Sequence, residues 1–316
     1  MNFQTSIPLK KQTSNQIDYD ANILLLGSCF SENIGNKLNY FKFQHLQNPF
    51  GILFHPKAIE QFITDIINGK KFTKEDLIYQ NERYHSFNAH SSLSEIDENA
   101  ILNNLNSKIS TTQKFLETTS HLIITLGTAW VYRFIETDKI VTNCHKVPQK
   151  KFLKELLDIT EITNSLETIV SLMNSINPNI TILFTVSPVR HLKDGFMQNT
   201  QSKSHLISAI HEVVNVRKNV HYFPSYEIMM DELRDYRFYA EDMIHPNKTA
   251  IQYIWEKFTD TWFVENTKQT MKNVDIIQKG LSHKPFNEHS NEHQLFLEKL
   301  AKRKELLLQQ FPFMSF

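Results

Sequence analysis

The stretch Leu24-Leu25-Leu26-Gly27-Ser28-Cys29-Phe30-Ser31 decides how the chain is read. An apolar run ends there in Gly27-Ser28, and a helical pattern follows at once over residues 31–39. That combination predicts a buried parallel strand turning directly into a helix. Only seven glycines occur in 316 residues, so Gly27 is expected to serve its backbone conformation. Such a turn can lift a serine hydroxyl out of the sheet edge. It also points the free N–H groups of the next helix at whatever the serine attacks.

Working outward, further apolar and β-branched runs of strand length fall at 122–126 and 180–186, with a weaker one at 220–223. Helical patterns lie near 56–68, 94–118, 151–175 and 203–216, and then at 248–263, 269–279 and 291–310. This alternation predicts an α/β fold in three layers, α/β/α, with a central parallel sheet covered on both faces. Two regions break it. Residues 131–141 carry β-type residues around Glu136-Thr137-Asp138-Lys139, which predicts an inserted β-hairpin. Charge density is highest near the end, so residues 265–316 are expected to form a helical C-terminal extension to a domain spanning 1–264. In the last helix Phe296, Leu297, Leu300, Leu307, Leu308 and Phe311 fall on roughly one face, suited to packing on the domain or a partner.

Composition narrows the function classes. Lys+Arg and Asp+Glu balance at 34 each, which argues against broad capture of nucleic acid or an anionic membrane. No basic segment followed by an apolar stretch opens the sequence, and no apolar run reaches spanning length. No membrane span and a cytoplasmic location are therefore expected. Cys29 and Cys144, the only cysteines, make no disulfide framework, as suits a reducing compartment. No paired Cys-x-x-Cys or His spacing is present, so neither a metal nor another cofactor is expected. Oligomeric state is not legible.

The chemistry concentrates in a few segments. Asp242-Met243-Ile244-His245-Pro246-Asn247 sets a carboxylate three residues before an imidazole. Pro246 keeps His245 out of a helix, and a fresh helix start follows at Asn247. Asp242 can fix the imidazole tautomer and leave the other ring nitrogen to face Ser28. Serine early, then Asp and His late, is an order an acyl-transferring hydrolase can use. Cys29 is the rival nucleophile, because a thiol at a helix N-terminus is readily activated. Its neighbour Phe30 suggests instead a buried, inert cysteine. In Asn143-Cys144-His145-Lys146, an extended chain would place Asn143 and His145 on one face. Asn143 can donate to an oxyanion, His145 can shuttle protons, and Lys146 can bind a carboxylate or phosphate. Arg190, just after the apolar run ending at Val186, suits an anionic group on a substrate. Ser202, Ser204 and His205 read as helix capping.

The segments around Gly27 and Asp242 resemble the ends of the SGNH (GDSL-like) hydrolase superfamily, with Gly27-Ser28-Cys29 in place of the usual Gly-Asp-Ser. The closer resemblance is to the GSCFA family. It is carried by Gly27-Ser28-Cys29-Phe30-Ser31, Asn48-Pro49-Phe50-Gly51-Ile52, Thr125-Leu126-Gly127-Thr128-Ala129-Trp130, Asn143-Cys144-His145-Lys146-Val147-Pro148, Ser187-Pro188-Val189-Arg190 and Asp242-Met243-Ile244-His245-Pro246, over roughly residues 20–260. The resemblance implies an SGNH-hydrolase-like α/β/α fold, with Ser28, Asp242 and His245 as the catalytic set and the Gly51 N–H in the oxyanion hole. Ala129 stands where the superfamily's third block carries an asparagine, and Asn143 is the candidate replacement. The implied activity is a serine-dependent hydrolase or acyltransferase acting on a small-molecule or carbohydrate acyl ester. Two alternatives remain: a non-catalytic ligand-binding domain that lost its oxyanion machinery at Ala129, and a Cys29-dependent enzyme.

Overall fold

The computed structural model describes residues 5–316. Strand β1 (Asn22–Gly27) runs into helix α1 (Cys29–Tyr40) and returns through β2 (Gln44–Gln47). Helix α2 (Pro56–Ile67), a short hairpin of β3 (Ile78–Gln80) and β4 (Arg83–His85), and α3 (Glu98–Leu116) lead to β5 (His121–Leu126). A small antiparallel sheet follows, made of β6 (Trp130–Phe134), β7 (Lys139–Val141) and β8 (Phe152–Leu156). Then come α4 (Ile159–Ile176), β9 (Thr181–Val186), α5 (Phe196–Val214), β10 (Val220–Tyr222) and the single turn α6 (Ser225–Glu227). Helices α7 (Lys248–Trp262), α8 (Glu265–Leu281) and α9 (Asn291–Gln310) complete the chain.

The central sheet has the order β10-β9-β5-β1-β2 and is parallel throughout. Side chains alternate across a strand, and here the alternation divides the core in two. Leu24, Leu26, Leu122, Ile124, Leu126, Ile182, Phe184 and Val186 face α2, α3, α4 and α5. Ile23, Leu25, Ile123 and Leu183 face α1, α7, α8 and α9. The three-layer α/β/α arrangement, with its inserted antiparallel element and helical C-terminal extension, is therefore the one the sequence predicts. The extension shares its core with the sheet: Met271, Val274, Ile277, Leu300 and Leu307 are buried with Trp255 and Phe263. No helix among the described residues is long and apolar enough to cross a membrane.

Three local readings are corrected. Residues 152–156 are a strand, and helix α4 starts only after Asp158, whose side chain caps the Glu161 N–H while Glu161 caps back. The insertion is thus three-stranded, in the order β7-β6-β8. Helix α5 starts at Phe196, which places residues 202–205 in its interior and not at a cap.

The chain reverses from β2 on one side of β1 to β5 on the other. The switch point of the sheet therefore lies at the C-terminal ends of β1 and β5, the place where ligands bind in open α/β sheets. Gly27 sits at that point with φ +130°, and a Cβ there would fall 2.1 Å from the Thr125 carbonyl oxygen. Gly69 also has a positive φ, +57°, but a Cβ there would make only ordinary contact with the Gln113 side chain, at 3.6 Å. Gly27→Ala is expected to cost about 3 kcal/mol or more, from overpacking added to an unfavourable backbone. Gly69→Ala should cost about 1 kcal/mol. Urea denaturation of the two variants checks this, and equal midpoint shifts would contradict it.

Candidate active site

Gly27 is held on three sides. Its N–H donates to Asn48 Oδ1 (3.0 Å), its carbonyl accepts from the Leu53 N–H (3.0 Å), and the Ser28 N–H donates to the Thr125 carbonyl (3.0 Å). Ser28 then acts as the N-cap of α1. Its hydroxyl accepts from the Phe30 N–H at 3.3 Å, and the residue is fully buried. The expectation that this turn lifts the Ser28 hydroxyl out of the sheet edge is not met. The hydroxyl is turned back onto the helix start.

Cys29 is the next residue, at the first helical position, and is partly exposed where a buried, inert thiol was expected. Burial of much of its surface, and then the charge of Glu32, push its pKa above the ordinary thiol value. Lys203 and the N–H groups of Cys29 and Phe30 oppose that shift. The thiol therefore rests protonated at neutral pH, beside donors that would favour its anion.

Asp242 and His245 come together as the sequence predicts. His245 Nδ1 lies 2.6 Å from Asp242 Oδ2, while Asp242 Oδ1 accepts from the N–H groups of Ile244 and His245, both at 2.9 Å. These two backbone bonds and then the imidazole hold the Asp242 carboxyl down at about 2. The loop is tied at both ends. The Ala240 N–H donates to the His245 carbonyl at 2.7 Å, and Asn247 caps α7 while its amide donates to the Arg237 and Tyr239 carbonyls. With Nδ1 on Asp242, Nε2 of the half-exposed His245 is left to other partners. Among the described residues no hydrogen bond joins His245 to Ser28 or Cys29.

Two further titratable residues lie at this end of the sheet, beside Gly127. His191 packs edge-on against Phe54, and its buried Nε2 lies close beside Gly127 without a partner. Burial, then the charge of Lys203, lower its pKa to about 4, and His245 adds to the effect against Asp194. Lys203 is 1% exposed on α5, and its Nζ donates to the Gly127 carbonyl (2.7 Å) and the Ser187 carbonyl (2.8 Å). It thereby ties together the chain just beyond β5 and β9. Burial lowers its pKa to about 7, with Cys29 raising and Arg190 lowering it further. Lys203 was not singled out in the sequence. Its signal was a lysine among Asn199, Leu206, Ile210 and Val213 on the buried face of a helix.

The remaining expected residues fall elsewhere or are occupied. The Gly51 N–H, expected in an oxyanion hole, donates to the Asn48 carbonyl at 2.7 Å. Gly51 is explained by φ +73° and by His90, whose Cβ would lie 2.4 Å from an added Cβ. The Ala129 N–H donates to Ser202 Oγ at 2.7 Å. Residues 143–146 are a turn and not an extended strand, since His145 and Lys146 have φ +48° and +60° and the Val147 N–H returns to the Cys144 carbonyl. Asn143 Oδ1 accepts from the His145 N–H, which consumes its oxygen locally. His145 is buried beside His85 and Phe87 with Nε2 on the Ser86 carbonyl, and burial lowers its pKa to about 4. The ring is thus closed off from solvent and held within the fold. Lys146 is exposed and Cys144 partly so, burial raising the Cys144 thiol to about 11 against the pull of Lys193.

Together these features define an α/β protein with a strand-to-helix turn and a carboxylate–imidazole pair at one end of its sheet. Residues 22–258 match the GSCFA family and residues 274–316 match the C-terminal domain described for GSCFA domain proteins, so the chain belongs to the GSCFA family. Comparison with curated proteins finds no match. Among solved structures it is similar to a carbohydrate esterase family 3 protein from Talaromyces cellulolyticus, at 8% identity and TM-score 0.36, covering 81% of this chain and 99% of that one. It is also similar to a family 3 carbohydrate esterase from Clostridium thermocellum, at 10% identity and TM-score 0.36, covering 83% and 99% of the two chains. Similarity this low leaves the functional argument to the site residues themselves.

The buried lysine gives a pH signature. Its folded pKa of about 7 lies below the unfolded lysine value of 10.5, so between those limits the unfolded chain binds the extra proton. Stability then rises with pH, and the burial penalty, fully present below pH 7, fades toward 10.5. Relative to Lys203→Met, the wild type should gain on the order of 1 kcal/mol per pH unit across that window. Urea titrations at several pH values read the difference, and parallel pH profiles for the two proteins would contradict it.

Proposed function

We propose that this protein transfers acyl groups, as a hydrolase or acyltransferase acting on a small-molecule or carbohydrate ester. The observation that carries the reading is the His245–Asp242 pair, built on a loop that is tied to the fold at both ends. An ionised Asp242 orients the ring and stabilises its protonated form, as in Ser-His-Asp enzymes. The motif order of the family supports the same reading.

Between the two nucleophiles, Cys29 is favoured over Ser28. Ser28 is fully buried as a helix cap, whereas Cys29 is partly exposed and lies near the helix-start N–H groups and Lys203. Its raised pKa makes a base necessary, and His245 Nε2 is the candidate. His245 takes the thiol proton as sulfur bonds to the ester carbonyl carbon. The tetrahedral oxyanion draws on the N-terminal dipole of α1. Collapse breaks the carbon–oxygen bond, and His245 protonates the departing alkoxide. Water, or a second alcohol, then releases the acyl group and restores the thiol. The water route gives an esterase and the alcohol route an acyltransferase.

A non-catalytic binding domain is the second reading. The commitment of the Gly51 and Ala129 N–H groups within the fold favours it. Kinetics on short acyl esters separate the readings. Cys29→Ala and His245→Ala should each lower kcat/KM by roughly a thousand-fold. Ser28→Ala should cost about 1 kcal/mol of stability as a lost cap, with a far smaller effect on rate. A folded, inactive Ser28→Ala beside an active Cys29→Ala would restore the serine mechanism. Absence of turnover in the wild type favours binding alone.

A further inference from the structure

The loop carrying Asp242 and His245 has a second face. Against it lies a pocket of about 520 Å³, a size that suits a small organic ligand. Its walls are largely apolar and aromatic, with Leu192, Phe196, Met230, Tyr236 and Ile244 among them. Four charged side chains also line it, and three are already occupied. Arg234 pairs with Asp231 at 3.1 Å, Asp235 with Arg237 at 3.5 Å, and Asp242 with His245 at 2.6 Å. Arg190 is the fourth. Its guanidinium donates to the Tyr239 hydroxyl at 3.2 Å and lies against the Met230 sulfur, both neutral groups, and no carboxylate among the described residues pairs with it.

The local backbone is arranged for this contact. Met230 lies in a π-helical turn, Ile228–Glu232, closed by the Leu233 N–H on the Ile228 carbonyl at 3.0 Å. Turns of this kind re-aim side chains and recur at functional sites. A planar fork of donors whose hydrogen-bond partners are all neutral is an incomplete anion site.

We propose that this pocket holds the carboxylate end of the substrate, so that the ester acted on has an apolar body ending in a single negative charge. One uncommitted cation beside two aspartates suits a monoanion better than a dianionic phosphate. This assignment rests on the acyl-transfer reading for its substrate, but the pocket can be probed apart from catalysis.

Two measurements test it. The first compares mono-p-nitrophenyl glutarate with p-nitrophenyl pentanoate, which differ by a terminal carboxylate in place of a methyl group. The wild type should prefer the anionic ester by about ten-fold in kcat/KM, expressed mainly in KM. In Arg190→Gln that ratio should fall to near one, and Arg190→Lys should keep part of it. The second follows hexanoate binding to Cys29→Ala by NMR, where adding Arg190→Gln should weaken binding by about ten-fold. Circular dichroism confirms that each variant is folded. Turnover without preference, or a preference that survives in folded Arg190→Gln, overturns the proposal. Hexanoate binding that depends on Arg190, with neither ester turned over, supports the pocket and rejects the catalytic reading instead.

Discussion

The structure depends on one peptide unit that leaves no room for a side chain. Gly27 brings β1, the loop after β2 and β5 into a single register, through the Asn48 amide, the Leu53 N–H and the Thr125 carbonyl. The carbonyl that would collide with a Cβ is the one that accepts from Ser28. Strand end and helix start are thus fixed together, and the first turn of α1 is aimed before any side chain contributes. Every later placement at the switch point inherits that geometry.

Around this turn the electrostatics are set mainly by burial. It raises the Cys29 thiol, lowers His191 and lowers Lys203, so three titratable groups near the switch point are held toward their neutral forms. Asp242 is the exception, kept ionised by two backbone N–H groups and the imidazole. A neutral thiol, an oriented base and a fixed carboxylate are the parts needed for a base-assisted attack. Against that stand the N–H groups of Gly51 and Ala129, which are engaged within the fold by the Asn48 carbonyl and Ser202 Oγ. Catalysis here would lean on the helix terminus more heavily than on a multi-donor hole.

Much of this was legible in the sequence, for identifiable reasons. The runs at β1, β5 and β9 are buried on both faces and so are built almost wholly of apolar and β-branched residues, with threonine the one polar type inside them. The Asp242–His245 loop was legible because Pro246 and Asn247 stop one element and cap the next. Strand β2 was hidden, since Gln44-His45-Leu46-Gln47 is an edge strand with polar side chains. Strand β8 reads as helix because Phe152-Leu153-Lys154-Glu155-Leu156 is made largely of good helix formers, and its pairing with β6 overrides them. At residues 143–146 nothing local announces two consecutive left-handed residues without a glycine, so the segment reads as extended where a turn exists. The nucleophile was ambiguous for a related reason. Two adjacent residues had the right chemistry, and only the cap geometry separates the buried Ser28 from the exposed edge of Cys29.

The most direct test of this account is the site of acylation. The protein is exposed briefly to p-nitrophenyl acetate, quenched in acid, digested and mapped by mass spectrometry. A single acetyl group on Cys29, formed quickly in the wild type and only slowly in His245→Ala, is the predicted result. Acetylation of Ser28, or labelling of Cys29 at the same rate without His245, would contradict it.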